Sequence, residues 1–203
     1  MEPLIARLRI GLTGGIGTGK STVAAMLVRH GAALVDTDAI AHLLSGPGGA
    51  AMPALMAAFG ASVVAHDGSL HRSAMRQLAF SDQSVRRRLE SILHPLIAAE
   101  AQRQSGGAAQ RVIVFDVPLL AASPAWRARV DRILVIDCSE ATQIERVAAR
   151  PGWTRETVQQ ALSAQSTRAQ RRATADALIV NDSIDLPSLQ FEVDVLWRLW
   201  NND

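Results

Sequence analysis

GLTGGIGTGKSTV, residues 11–23, holds five glycines and the only lysine of a chain whose other strong bases are all arginine. Its spacing, Gly14-x-x-x-x-Gly19-Lys20-Ser21, follows an apolar run at 8–12 and precedes a helical pattern at 21–29, so a glycine-rich turn joins a strand to a helix. Glycines let successive backbone N–H groups converge on phosphate oxygens, and the helix that follows presents its positive end to them. Gly14, Gly15, Ile16, Gly17, Thr18, Gly19, Lys20, Ser21 and Thr22 are therefore expected to hold the phosphates of a nucleotide. Lys20 reaches β- and γ-phosphates as a compact ammonium on a flexible stem, a task that a planar, forked guanidinium fits poorly. The Ser21 hydroxyl is expected to ligate Mg2+.

Outward from this loop, short non-alternating apolar runs recur at 8–12, 33–35, 112–115, 133–136 and 177–180, as in strands covered on both faces. Helical patterns lie between and after them at 21–29, 83–104, 141–149, 155–164 and 186–200. The alternation predicts an α/β fold in three layers, a parallel five-stranded sheet with helices on both faces. The second and third strands stand much further apart than the roughly dozen residues a crossover needs, so an extra helical lobe must fill the interval. It contains SGPGGAAMPALMAAFG, DGSLHRSAMRQLAF and RRRLESILHPLIAAEAQ, with Gly106 and Gly107 marking the return. A second insertion, ARPGWTRETVQQALSAQSTRAQRR, falls between the last two strands.

Carboxylates cluster where strands end. In LVDTDAIAH a strand delivers Asp36 and Asp38 at its C-terminal end, the edge from which the phosphate loop also leaves. One suits a general base for an acceptor hydroxyl and the other a substrate or metal contact; helix capping is the competing use. VIVFDVPLL places Asp116 as a metal-shell candidate beside Ser21, against a loop-bracing role, and Pro118 turns the chain out of the sheet. Arg146, Arg150, Arg155, Arg168, Arg171 and Arg172 concentrate in or near the late insertion, where one or two, Arg150 first, are expected to meet a triphosphate. The five histidines have no metal-ligand spacing, and His94 before Pro95 is expected to shape a kink or a substrate wall.

Composition sets the limits. A 203-residue chain with 48% apolar residues is long enough for a folded core, and a stable monomer is expected. A net charge of +2 does not call for nucleic acid as partner. No segment is apolar and long enough to span a bilayer, the N-terminal residues lack signal-peptide character, and the lone Cys138 follows an apolar run; a cytoplasmic protein with a buried, inert thiol is expected.

Taken in order, IGLTGGIGTGKSTVA, DTDAIAH, DGSLHRSAMRQLAF, LHPLI, DVPLL, VIDCSEATQIERVAAR, TRETVQQALSAQ and ADALIVND resemble the dephospho-CoA kinase family over nearly the whole chain. The resemblance implies a P-loop nucleotide-kinase fold with a core (8–45, 108–149, 174–203), a helical CoA-binding lobe (46–107) and a lid (150–173). It implies transfer of the ATP γ-phosphoryl group to the ribose 3'-hydroxyl of dephospho-CoA, with Asp36 as base, Lys20 and the loop on ATP, and Arg150 in the lid. Asn181 would stand near the adenine end, and Asp38, Arg72 and His94 would serve the acceptor. ATP and dephospho-CoA are then the partners, with no nucleic acid or membrane, in a monomer or weak homo-oligomer. Two positions depart from the family pattern: Ala122 stands where Glu is usual, and Thr18 where Ser is common. From the residues alone, a kinase for another small hydroxyl compound and a binding module without chemistry stay open. A regulatory GTPase would need a second lysine for N-K-x-D recognition.

Overall fold

The computed structural model describes residues 7–201. The chain divides into two compact units, one formed by the residues up to Val35 with those from Ala108 onward, the other by Asp36–Gly107. In chain order the elements are β1 (Leu8–Gly14), α1 (Lys20–Arg29), β2 (Ala33–Asp36), α2 (Thr37–Leu44), α3 (Met52–Phe59), α4 (Arg72–Ser81) and α5 (Gln83–Gly107). They continue with β3 (Val112–Asp116), α6 (Pro124–Arg127), β4 (Arg132–Asp137), α7 (Glu140–Ala148), α8 (Arg155–Ser163), α9 (Arg168–Ala173), β5 (Ala177–Val180) and α10 (Leu186–Asn201).

The first unit is built on the expected five-stranded parallel sheet, in the order β2-β3-β1-β4-β5. Strand β1 is central, its Leu12 level with Asp116 of β3 and its Gly14 level with Ile136 of β4. The loop that leaves β1 therefore emerges between the C-terminal ends of two neighbours, at a switch point of the topology. Ile10, Leu12, Val114, Leu134 and Ile136 point to one face and are buried against Val23 and Leu27 of α1 and Leu189 and Val193 of α10. The apolar spacing of those helices matches this face, which is why they form as amphipathic layers. On the other face Gly11 lets Leu120 and Val130 lie directly on the strand; a Cβ there would collide with the Leu120 side chain. Gly11 thus serves packing, whereas the later glycines of the same stretch serve the loop.

The second unit is helical. Ile40 and Leu44 of α2 and Met75 of α4 are buried, and the long α5 packs against α2, α3 and α4. Helix α5 runs unbroken through Pro95, and Gly106 and Gly107 form its last residues rather than a turn after it. Among the described residues no helix is long and apolar enough to cross a membrane.

Candidate active site

Helix α1 begins at Lys20, behind Gly19, which adopts a left-handed φ of 92° and offers no side-chain cap. A Cβ at Gly19 would also strike the Asn181 amide, so position 19 accepts glycine on two counts. An uncapped helix start leaves its first N–H groups without partners. Among the described residues the N–H groups of Gly17, Gly19, Lys20, Ser21 and Thr22 have no acceptor, and the first helical bond is Val23 N–H to Gly19 O at 3.1 Å. These five amides form the anion nest.

Two other amides of the expected set are already engaged. Thr18 N–H donates to Gly15 O at 3.2 Å, and the Thr18 hydroxyl donates to the same oxygen at 2.9 Å. Thr18 is fully buried, so its contribution is to close the turn from inside, and its hydroxyl matters as well as its backbone. Ile16 N–H donates to Gln165 Oε1 at 3.1 Å, and Ile16 O accepts from Gln143 Nε2 at 2.6 Å. Asn181, itself buried, donates its side-chain N–H to Thr18 O at 2.8 Å and so braces the loop from β5.

Lys20 Nζ donates to the Asp116 carboxylate in a short ion pair, with side-chain exposures of 17% and 9%. The pair holds the ammonium at the loop and fixes Asp116 at the end of β3. Ser21 is exposed in the first turn of α1. Asp36 ends β2 and caps α2: its Oδ1 accepts from Asp38 N–H and Ala39 N–H, both at 2.9 Å. Both uses foreseen for this residue, capping and acid–base chemistry, remain compatible, because Oδ2 has no partner among the described residues. Asp38 is exposed in the first turn of α2, where its carbonyl takes the His42 ring nitrogen at 2.8 Å.

Beyond the loop lies a cavity of about 330 Å³ lined by Gly17, Gly19, Thr22, Arg146, Arg150 and Asn181, together with Ile184 to Leu186 and Leu189. Arg146 and Arg150 are thus the two late arginines that line this cavity. Arg168 and Arg172 are committed elsewhere, to Asp137 at the end of β4. The Arg168 Nε contacts both Asp137 oxygens, at 2.9 and 2.8 Å, and this bonding raises the Arg168 pKa. Arg171 is buried beside Gly15, where desolvation lowers its pKa. Cys138 is fully buried, and burial pushes its thiol up to about 11.

Within the helical unit a second cavity, of about 410 Å³, has an apolar floor that includes Leu70, Met75, Leu89 and Leu93, with Arg72, Arg76, Arg86 and Glu90 around it. Arg72 donates to Ser45 Oγ at 3.0 Å. His94 follows Leu93 on α5 and is exposed; it is not among the lining residues.

A family model described as dephospho-CoA kinase matches residues 8–185. The chain belongs to the dephospho-CoA kinase family. The dephospho-CoA kinase of Burkholderia lata is 54% identical over 187 residues, which cover 92% of this chain and 93% of that one. A crystal structure of a Thermus thermophilus protein superposes with a TM-score of 0.83 at 27% identity, over 97% of this chain and 98% of that one. The dephospho-CoA kinase of Campylobacter jejuni shares the fold at 19% identity and a TM-score of 0.66, over 94% of this chain and 95% of that one.

In this member of the dephospho-CoA kinase family the loop, the strand-end carboxylates and the arginine-rich segment were visible in the sequence, whereas the contacts of Gln143 and Gln165 with the loop and the pairing of Asp137 were not. A signal existed for Gln143. It is fully buried on the same face of α7 as Val147, one turn on, a position where packing alone would favour an apolar residue. Nothing local marks Gln165, whose partner is far away in the chain.

Proposed function

We propose that Asp36 is the general base, that Lys20 and the open amides of the loop hold the β- and γ-phosphates of ATP, and that Arg150 closes on the triphosphate. The chain is an ATP-dependent kinase that phosphorylates the ribose 3'-hydroxyl of dephospho-CoA, giving coenzyme A and ADP. In that reaction the hydroxyl oxygen bonds to the γ-phosphorus as the bond to the bridging oxygen of ADP breaks. The hydroxyl proton has to leave at the same time. The assignment of the base rests on one observation: Asp36 Oδ1 is fixed by two N–H donors while Oδ2 stays open. A carboxylate anchored by one oxygen presents the other in a defined direction.

A kinase using ATP requires a divalent metal. We assign it as Mg2+, with Ser21 Oγ and the Asp116 carboxylate as its protein oxygens. A hydroxyl and a carboxylate suit a hard cation that arrives largely coordinated by phosphate oxygens. Among the described residues no group of three or more His, Cys, Asp or Glu could hold a metal ion. Bound there, the metal would neutralise charge on the β- and γ-phosphate oxygens. Lys20 adds a further positive charge and, through its ion pair, keeps Asp116 in place.

Asp38, Arg72 and His94 are assigned to the acceptor. The cavity of the helical unit supports this for Arg72, because guanidinium groups over an apolar floor fit a molecule with a diphosphate and a flexible uncharged arm. We assign 8–45, 108–149 and 174–203 to the nucleotide core, 46–107 to the acceptor lobe, 150–173 to a lid, and Asn181 to the nucleotide site. The reading is of a cytoplasmic enzyme, a monomer or weak homo-oligomer, that needs no nucleic acid or membrane. Asp36→Asn tests the base. Asn caps a helix as well as Asp does, so the dissociation constant for ATP should stay within about twofold, while kcat should fall by about 10²–10⁴. An unchanged kcat would reject the assignment.

A further inference from the structure

Ile16 of the phosphate loop is gripped on both sides by side-chain amides from two different elements, through its N–H in the peptide group shared with Gly15 and its C=O in that shared with Gly17. Gln165, just past the end of α8, accepts from Ile16 N–H at 3.1 Å, and Gln143 of α7 donates to Ile16 O at 2.6 Å. Neither bond is replaceable by packing. Gln143 is 0% exposed, and among the described residues its Oε1 has no hydrogen-bond partner, nor has the Nε of the neighbouring buried Arg171. Both groups press on the loop: a Cβ at Gly15 would meet Gln143 Nε2 and lie 3.0 Å from an Arg171 terminal nitrogen. A buried amide with one unmet atom is less stable than an apolar side chain of the same length. Stability therefore does not account for glutamine at position 143, whereas its bond to Ile16 does.

We propose that Gln143 and Gln165 are positioning residues of the kinase, which together fix the two peptide groups flanking Ile16, and so the open amides from Gly17 onward, before nucleotide arrives. This rests on the reading of the loop as the ATP site. Gln165 also ties that loop to the 150–173 segment, so the segment and the nest are connected through Ile16. A nest shaped in advance binds phosphate without first ordering its backbone. Released at either end, the loop has to be ordered by ATP itself. The effect must fall on nucleotide binding and leave acceptor binding alone. Since both side chains hold the two peptide groups that flank one residue, removing the second after the first should change little.

The test uses the full chain with Gln143→Met, Gln165→Met and the double variant, because Met keeps the length and flexibility of Gln without its amide. The measurements are KM for ATP and for dephospho-CoA, kcat, the dissociation constant of MgATP without acceptor, and the melting temperature. Each single variant should raise the ATP KM and the MgATP dissociation constant about fivefold to tenfold, the scale of one hydrogen bond. The dephospho-CoA KM should stay put, the melting temperature should not fall, kcat should change less than KM, and the double variant should stay within about twofold of the worse single. An unchanged MgATP dissociation constant in either single variant would overturn the proposal. So would multiplying effects in the double, or a dephospho-CoA KM that rises with the ATP KM while the melting temperature falls. Should Gln143→Met fail to fold, Gln165→Met and Gln165→Asn at the half-buried site carry the same expectation and the same refutation. A wild-type chain that binds MgATP yet releases no acceptor-dependent ADP would instead overturn the activity, a separate failure, because the binding measurement needs no acceptor.

Discussion

Lys20 is the one position where this arginine-rich chain keeps a lysine, and its surroundings give the reason. Its ammonium pairs with Asp116, and both side chains are largely shielded from water, where a point charge on a slim stem fits. A guanidinium is broader, and its fork would have to displace either the loop or the carboxylate. Lys20→Arg should therefore lower kcat by about 10²-fold or more despite keeping the charge; wild-type kcat in that variant would contradict this. Cys138 offers a second test at this scale. With its thiol raised to about 11 by burial, the native chain should resist alkylation at neutral pH and react only after denaturant is added. Rapid labelling of the native chain would place the thiol elsewhere. Lys20 was legible in the sequence because its motif is local. The Thr18 hydroxyl bond to Gly15 O was not, since the turn that makes it exists only once the loop is folded.

At the scale of elements, the arginine-rich segment between β4 and β5 divides into anchors and free groups. Arg168 and Arg172 bind Asp137, which is 1% exposed, and so fasten α9 to the end of β4. Removing one partner of a buried pair leaves charge without compensation. Arg168→Met should destabilise the chain by about 3 kcal/mol in chemical denaturation, the low end of the range for such losses because Arg172 stays at 3.3 Å. A change below about 0.5 kcal/mol, typical of surface sites, would show that the pair is not holding α9. The sequence displayed the concentration of arginines but not this division. Asp137 closes an otherwise apolar strand run and gives no sign of its partners until β4 and α9 are brought together. Helix α5 shows the reverse case. Its apolar pattern was clear, and the helix continues through Pro95 without a break.

For the whole molecule, the alternation of apolar runs and helical patterns was enough to predict the parallel sheet, because strands buried on both faces leave a strong signature. The passage from β2 into the helical unit at Asp36 has no glycine or proline to mark it, since the strand's last residue is also the cap of α2. Surface carboxylates tie the fold to pH. Arg103, with Gln104, holds Glu100 down at about 2; Arg9 lowers Asp131, Thr142 lowers Asp182, and Gln190 with His30 lowers Asp194. Each binds its proton less readily folded than unfolded, so its stabilising effect is present above about pH 4 and fades as the pH falls toward about 2. The urea midpoint should therefore drop between pH 6 and pH 3, and an unchanged midpoint would refute this.

The kinase moves the γ-phosphoryl group of ATP onto the ribose 3'-hydroxyl of dephospho-CoA, with Asp36 as the proposed base. The most direct test is ADP release by the wild-type chain with and without dephospho-CoA, read beside Asp36→Asn, with the product's new phosphate located by NMR. ADP formation should depend on dephospho-CoA, the new phosphate should sit on the 3'-oxygen, and both should nearly vanish in the variant. ADP release indifferent to dephospho-CoA, or a phosphate on another oxygen, would contradict this.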